Sequence, residues 1–226
     1  MPALSDLHQL HDQRVGAGEP LGSPALLRAT LPLSPGAAET VARGRTSIQH
    51  ILDGDDDRLF VVVGPCSVHD PHAAVDYAHR LADLASELDD ALVVAMRVYF
   101  EKPRTILGWK GLVNDPLLDG SCQVKLGLTT ARRVLCDVVE AGLPTACEFL
   151  DPILPQYLAD VVSWGAIGAR TVESQIHRQL ASGLSMPVGI KNATNGDVGV
   201  AVSAVRAAMA RHMLTGIDDA GVAAVF

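Results

Sequence analysis

Short apolar runs alternate with amphipathic segments from residue 59 onward. The runs are hydrophobic almost without interruption, which is typical of parallel strands buried on both faces. They predict strands at 59–65, 91–99, 145–150, 166–170 and 187–192. Between them apolar residues recur at helical spacing, most clearly from Ala131 to Val139 ahead of Gly142. Shorter stripes of this kind predict helices around 75–85, 158–162, 176–180 and 198–209.

Strand and helix in alternation predict an α/β fold with parallel strands and right-handed crossovers. Both a (β/α)8 TIM barrel and a doubly wound sheet fit this order. Five βα units are visible, and the Asp219–Gly221 turn between apolar runs predicts a β-hairpin after them. A barrel typically takes about 250 residues. The 226 residues of this chain are therefore short for a barrel.

The pattern ahead of the first strand is different. Residues 1–33 are rich in Gly, Pro and Leu without a sustained period, which predicts an extended arm. Ser34 followed by Pro35 predicts the start of a helix, which the acidic run 53–57 ends. We therefore divide the chain into an N-terminal arm and helix, 1–57, and an incomplete (β/α) barrel, 58–226.

Composition narrows the function classes. Lys and Arg number 18 against 26 Asp and Glu, a net charge of −8, which disfavours a nucleic-acid partner because phosphate backbones require a concentrated basic surface. No uncharged apolar stretch approaches the roughly 18 residues of a membrane helix. The first fifteen residues include Asp6 and Asp12 and resemble neither a secretory signal nor a transit peptide. We expect a soluble, cytoplasmic protein.

Polar and charged residues lie at the carboxyl end of each predicted strand, the edge where α/β enzymes build their sites. Four of them are cations: Arg97, Lys102, Arg170 and Lys191. Arginine binds carboxylate and phosphate in a fork geometry, whereas lysine acts as a point charge. The pattern predicts a site for a small anion with phosphate, carboxylate or both. The alternative is that the cations pair with neighbouring carboxylates: Glu148, Asp151 and Glu173.

The remaining reactive residues are less specific. Cys66 fits either a small core residue or a thiolate that ligates a divalent metal. We expect Cys122, Cys136 and Cys147 to lie in the core and His69 to be a solvated loop residue. Lys191 also fits a Schiff-base lysine, although the nearby arginines favour an anion contact.

Four long motifs carry a family resemblance. They read VVVGPCSVHDP, MRVYFEKPRTILGWKGLVNDP, EFLDPILPQYLADVVSWGAIGARTVESQIHRQLASGL and PVGIKNATNG. From about Leu31 to the end the chain resembles the type I 3-deoxy-7-phosphoheptulonate (DAHP) synthases. The resemblance implies a homo-oligomeric (β/α)8 transferase that condenses phosphoenolpyruvate, erythrose 4-phosphate and water to DAHP and phosphate. This is the first step of the shikimate pathway of chorismate and aromatic amino acid biosynthesis.

The resemblance also implies roles for individual residues. Cys66 matches a ligand of a divalent metal, Mn²⁺, Fe²⁺ or Co²⁺, that polarises the aldehyde. Phosphoenolpyruvate contacts fall on Arg97, Lys102, Arg170 and Lys191, with Glu148 beside them, and of these Lys102 and Arg97 are implied to be catalytic. Arg104 and Thr105 match contacts to erythrose 4-phosphate.

The chain departs from the family pattern in two places. First, the resemblance implies that the other metal ligands and one more phosphate-binding arginine lie beyond Phe226. Second, the loop after the fifth predicted strand reads Asn192-Ala193-Thr194-Asn195-Gly196 where the family has NGTDG. We therefore expect the chain by itself to be inactive unless a partner chain supplies the remaining strands.

Two alternatives to a DAHP synthase stay open. One is an inactive, truncated remnant that retains part of the substrate site. The other is the related 3-deoxy-octulosonate-phosphate synthase, which uses arabinose 5-phosphate. In DAHP synthases the arm and hairpin bind an aromatic amino acid effector, and Gly216 matches the glycine of tyrosine-sensitive members.

Overall fold

A computed structural model describes residues 14–16 and 18–226 of the chain. The rest of the predicted arm, residues 1–13 and 17, lies outside the described residues. The helices are α1 Pro24–Thr30, α2 Pro35–Asp53, α3 Pro71–Glu87, α4 Val124–Glu140, α5 Leu154–Leu158 with a 3-10 turn at Ala159–Val161, α6 Gln175–Gly183 and α7 Val198–Ala208. The strands are β1 Leu59–Val63, β2 Leu92–Arg97, β3 Thr145–Glu148, β4 Trp164–Ile167, β5 Val188–Ile190, β6 Thr215–Ile217 and β7 Ala223–Val225.

Five strands form one parallel sheet in the order of the chain, β1 to β5. The register of the sheet aligns the carboxyl ends of adjacent strands, with Val63 opposite Met96 and Glu148 opposite Ala166. A sheet in simple sequential order is part of a barrel, whereas a doubly wound sheet reverses its order at a switch point. The prediction of five βα units is therefore confirmed, and so is the hairpin, since β6 and β7 pair antiparallel.

The two N-terminal helices begin with the same cap. Ser34 Oγ accepts the N–H of Ala37 at 3.0 Å, with Pro35 in the first helical turn, as predicted. Ser23 Oγ accepts the N–H of Leu26 at 3.2 Å and starts α1 in the same way. The prediction of an extended arm over 1–33 is therefore wrong at 24–30, where the Ser-Pro signal is present but the apolar period is too short to detect.

Two helix predictions are corrected. The stripe around 158–162 belongs to the end of the short α5 and to the 3-10 turn, and not to a full helix. In α7 the buried residues are Ala201 and Ala204, while Val198 and Val202 are exposed. The small side chains form the packed face, so the larger valines do not mark it.

The main core lies between the sheet and helices α2 to α4, and it includes Ala37 and Val41 of α2. A Cβ on Gly44 of α2 would lie 2.7 Å from Pro144, so glycine allows this helix to pack closely against the segment before β3. The division of the chain at residue 57 remains a prediction. None of the described helices combines the length and apolar character needed to cross a membrane. The cytoplasmic location stays a prediction.

Candidate active site

Arg97 ends β2 and its guanidinium points across the carboxyl edge of the sheet. Its Cζ lies 3.8 Å from the ring centroid of Tyr99, and its Nη2 donates to the carbonyl oxygen of Cys66 at 3.1 Å. Its buried Nε has no hydrogen-bond partner among the described residues. Leaving a buried donor unpaired is costly, so Arg97 retains the capacity to bind an acceptor from outside the chain.

Lys102 connects the loops that follow β1 and β2. Its Nζ lies 2.9 Å from Sγ of Cys66. This hydrogen bond lowers the pKa of the exposed Cys66 thiol, and the charges of Lys102, Arg97 and Lys191 lower it further. Cys66 is thus a surface residue of the site, and the interpretation of it as a core cysteine is wrong.

Glu148 ends β3 and is buried, with 8% of its surface exposed. Its Oε2 accepts a hydrogen bond from Nζ of Lys191 at 3.4 Å. The same Nζ lies 5.4 Å from the ring centroid of Tyr99. Cys66, Arg97, Lys102, Glu148 and Lys191 therefore form one connected group at the carboxyl ends of the strands, which we call the rim cluster.

Carboxylate pairing, the alternative to an anion site, applies to one cation of the four. Lys191 pairs with Glu148, and its side chain stays 42% exposed. Within the described part of the chain, Arg97, Lys102 and Arg170 form no ion pair with a carboxylate. Arg170 is exposed in the loop after β4. Three cations at one edge of the sheet are therefore available to a ligand.

The loop with Arg104 and Thr105 is exposed and begins two residues after Lys102 of the rim cluster. Arg104 Nε donates to the carbonyl oxygen of Trp109 at 2.7 Å, within the same loop. Gly108 has a φ of 138°, and a Cβ there would lie 3.3 Å from Arg104 Nε. A glycine is thus needed for the loop to close beneath the arginine. The structure places both residues near the carboxyl end of β2 but records no contact between them and the rim cluster.

Two residues without a predicted role complete the site. The Tyr99 ring is close to both Arg97 and Lys191, and burial raises the pKa of its hydroxyl to about 12. Its position two residues after Arg97 in an extended segment is a signal of a shared face. Glu101 is 7% exposed, and its carboxylate accepts the N–H groups of Leu150 and Asp151, each at 3.0 Å.

The described residues do not by themselves fit a metal site. No group of three or more His, Cys, Asp and Glu side chains in residues 14–16 and 18–226 is arranged to hold a metal ion. Cys66 is the one donor that the sequence predicted, and its sulfur faces the ammonium of Lys102. We therefore derive no chemical step through a metal.

The other cysteines and His69 lie away from this chemistry. Cys147 is buried, its Sγ donates to the carbonyl oxygen of Val98 at 2.9 Å, and burial raises its pKa. Cys136 is partly buried and burial also raises its pKa. Cys122 is exposed, so its predicted place in the core is wrong, because it precedes α4 in the loop with a φ of 53°. His69 is exposed, as predicted.

A cavity of about 610 Å³ lies at the opposite end of the sheet. It is lined by α2, the end of α3 and the start of β2, and includes Arg43, Arg58 and Asp89. None of the rim cluster lines it. Arg58 is already paired with Asp56 and Asp89, so size alone does not make this cavity the active site.

Residues 36–224 match the family model described as the DAHP synthetase I family. The chain is 57% identical over 223 residues to a phospho-2-dehydro-3-deoxyheptonate aldolase of Corynebacterium glutamicum, covering 99% of this chain and 61% of the relative. It is 55% identical over 218 residues to the Phe-sensitive aldolase of Escherichia coli, covering 96% of this chain and 62% of the relative. The Tyr-sensitive aldolase of Escherichia coli is 53% identical over 219 residues, covering 97% of this chain and 60% of the relative.

A solved structure gives the same result. The phospho-2-dehydro-3-deoxyheptonate aldolase of Francisella tularensis superposes with a TM-score of 0.92 at 50% sequence identity, covering 94% of this chain and 62% of that chain. The chain thus spans about 61% of the length of the curated relatives that it matches. Because the family match covers most of the residues and includes every strand that supports the rim cluster, the chain belongs to the DAHP synthetase I family.

Proposed function

We propose that the rim cluster and Arg170 bind phosphoenolpyruvate for its condensation with erythrose 4-phosphate, the reaction of a DAHP synthase. The observation that carries the proposal is the set of three cations at one edge of the parallel sheet for which residues 14–16 and 18–226 supply no carboxylate partner. Phosphoenolpyruvate presents a phosphate and a carboxylate close together. A site with two guanidinium groups and two ammonium groups matches this distribution of charge.

Each residue has a distinct part in holding the substrate. Arg97 offers a flat guanidinium that Tyr99 supports from one side, so its free N–H groups are oriented toward a bound anion. Lys102, held at Cys66, and Lys191, near the Tyr99 ring, are point charges, and Glu148 pairs with Lys191. Arg170 is exposed and approaches from the loop after β4.

The reaction that these residues would support is balanced without a redox step. C3 of the enol forms a bond to the aldehyde carbon of erythrose 4-phosphate, water adds at C2, and the C–O bond to phosphate breaks. The products are DAHP and inorganic phosphate. The cations hold the substrate phosphate and carboxylate while negative charge shifts to the leaving phosphate. We assign Arg104 and Thr105 to the phosphate of the aldehyde substrate.

The comparisons favour a synthase over the alternative of an inactive remnant, since identity to the phospho-2-dehydro-3-deoxyheptonate aldolase of Corynebacterium glutamicum is 57% over 99% of the chain. They also favour the four-carbon aldehyde over arabinose 5-phosphate, because the names of the relatives specify a seven-carbon product. The activity of the isolated chain remains a proposal, as the relatives are longer.

The first experiment measures phosphoenolpyruvate binding by titration calorimetry. We expect the purified chain to bind it and Arg170→Gln to weaken binding about tenfold, the effect of one lost charged contact. Arg133→Gln is the matched control, since Arg133 is an exposed arginine on α4, far from the rim cluster. Wild-type protein that shows no binding, or equal losses in both variants, would overturn the proposal.

A second assay discriminates the aldehyde. Phosphate release from phosphoenolpyruvate is measured with erythrose 4-phosphate or arabinose 5-phosphate, with Mn²⁺ included because the family resemblance implies a divalent metal. The proposal requires that any release depend on erythrose 4-phosphate; no release with either aldehyde is the result expected if the isolated chain is inactive. A preference for arabinose 5-phosphate would instead assign the octulosonate synthase.

We also propose a homo-oligomer that an aromatic amino acid regulates, with tyrosine as the effector. Relatives named Phe-sensitive and Tyr-sensitive support regulation of this kind. In this chain α1 is tied to the hairpin, because Ala25 N–H donates to the carbonyl oxygen of Asp219 at 3.0 Å and Arg28 pairs with its carboxylate at 2.6 Å. The calorimetric titration repeated with tyrosine, phenylalanine and tryptophan identifies the effector.

A further inference from the structure

Two loops and helix α6 meet at Leu150 and Asp151. Leu150 follows β3, two residues after Glu148. Its N–H donates to Oε2 of Glu101 at 3.0 Å, and its carbonyl oxygen lies 2.7 Å from Nε2 of His177. Because a carbonyl oxygen only accepts, Nε2 of His177 carries the proton, and Nδ1 accepts from the hydroxyl of Ser174 at 2.8 Å.

Glu101 accepts two of the hydrogen bonds that hold this loop. Its Oε1 also accepts the N–H of Asp151 at 3.0 Å, so both carboxylate oxygens hold consecutive peptides of one loop. Burial raises the pKa of Glu101 to about 7, against these two N–H groups, which favour the charged form. Burying a carboxylate is unfavourable because its charge is removed from water, so a buried carboxyl is uncommon unless it has a specific partner. Here the partner is the backbone that leads out of β3.

Each anchor is adjacent to a residue of the anion site. Glu101 immediately precedes Lys102, whose N–H is held by the carbonyl oxygen of Lys110 at 2.8 Å. Leu150 follows Glu148 closely, and His177 lies in α6, directly after the loop with Arg170. A shift of the backbone at Leu150 and Asp151 would therefore move Lys102, Glu148 and Arg170. These residues lie at the ends of β2, β3 and β4 or in the loops after them.

We infer that Glu101 and His177 are positioning residues, which hold the peptide group between Leu150 and Asp151 from its two sides and thereby set Lys102, Glu148 and Arg170 at the spacing a bound anion requires. This role rests on the proposed function, because it concerns the same anion site. Neither residue belongs to the group of side chains assigned to the substrate above. They act on the loops and not on the reacting atoms.

The test compares Glu101→Ala and Glu101→Gln with Glu87→Gln, whose residue is exposed at the end of α3. Amide hydrogen exchange is measured over 149–153, and phosphoenolpyruvate affinity by calorimetry. We expect Glu101→Ala to speed exchange in this segment and to weaken affinity roughly tenfold or more, as for other supporting contacts around a site. Glu101→Gln keeps one acceptor oxygen and should restore part of both; His177→Phe should also speed exchange at Leu150.

The outcomes separate the two proposals. Faster exchange over 149–153 with unchanged phosphoenolpyruvate affinity would overturn the positioning role while leaving the proposed function intact. Unchanged exchange in Glu101→Ala would also overturn it. If wild-type protein binds no phosphoenolpyruvate, the proposed function fails, and with it the effect of the loop on that ligand. Equal losses in Glu87→Gln would show a general loss of stability and would count against the inference.

Discussion

Glu148 and Gly168 face each other at the ends of neighbouring strands, and the space between them controls one carboxylate of the site. A Cβ on Gly168 would lie 1.8 Å from Oε1 of Glu148 and 2.9 Å from its Cδ. Glycine is therefore required here for reasons of space, since Gly168 has no left-handed φ. In this position Glu148 is buried and pairs with Lys191.

Gly168→Ala is expected to displace Glu148 and release Lys191, which lowers phosphoenolpyruvate affinity about tenfold and destabilises the fold by about 1–3 kcal/mol through overpacking. Calorimetry and urea denaturation measure the two effects. Gly183→Ala in α6 is the control, because the nearest atom to its Cβ is 3.7 Å away. Full affinity in Gly168→Ala would contradict the role of Glu148.

At the scale of single residues, the sequence located the cations well and their partners poorly. Arg97, Lys102 and Lys191 follow strand patterns directly, so their common edge follows from the parallel topology. Tyr99 and Gly168 were not assigned, because a ring close to two cations and a missing Cβ depend on distances across strands. The pattern along one strand contains no information about these distances.

The helices are defined by their ends as much as by their apolar faces. Ser34 caps α2, and Gly54 ends it with a φ of 82° in the left-handed region. Strands β4 and β5 end earlier than predicted, because the predicted runs 166–170 and 187–192 include the polar residues Arg170, Lys191 and Asn192 of the loops that follow. Cap residues therefore located element boundaries better than hydrophobicity did.

Ser34→Ala tests the contribution of such a cap. The N–H of Ala37 would lose its acceptor, and we expect the free energy of unfolding to fall by about 1 kcal/mol. Ser47→Ala is the matched control, because Ser47 lies within the same helix, where alanine has the higher helix propensity. Urea denaturation of both variants gives the comparison. A loss in Ser47→Ala as large as that in Ser34→Ala would contradict the capping role.

At the scale of the whole molecule, stability depends on the protonation of Glu101. Its pKa is about 7 in the fold against an ordinary value of 4.5, because burial outweighs its two hydrogen bonds. Between these values the folded chain binds a proton that the unfolded chain has released, so stability falls as pH rises through this window. The carboxyls of Asp56 and Asp70, whose pKa is lowered by hydrogen bonds, are ionised in both states there.

Chemical denaturation across this pH range measures the effect. Stability should be highest near the lower end and should decline by up to about 3 kcal/mol toward neutrality. Glu101→Gln should flatten the decline, whereas Glu87→Gln should retain it. A wild-type profile that rises through the window, or one that Glu101→Gln leaves unchanged, would contradict the assigned pKa.

The in-step pairing of the five strands has a consequence for mutation of the gene. Side chains alternate between the two faces of a strand, so deletion of a single codon within β2 would turn every later side chain of that strand to the opposite face. Arg97 would then leave the substrate side and a neighbouring apolar residue would replace it. Deletions between Asp119 and Gln123 would not change any strand. Tolerance of deletions in this molecule should therefore follow the positions of the strands more closely than the chemistry of the residue removed.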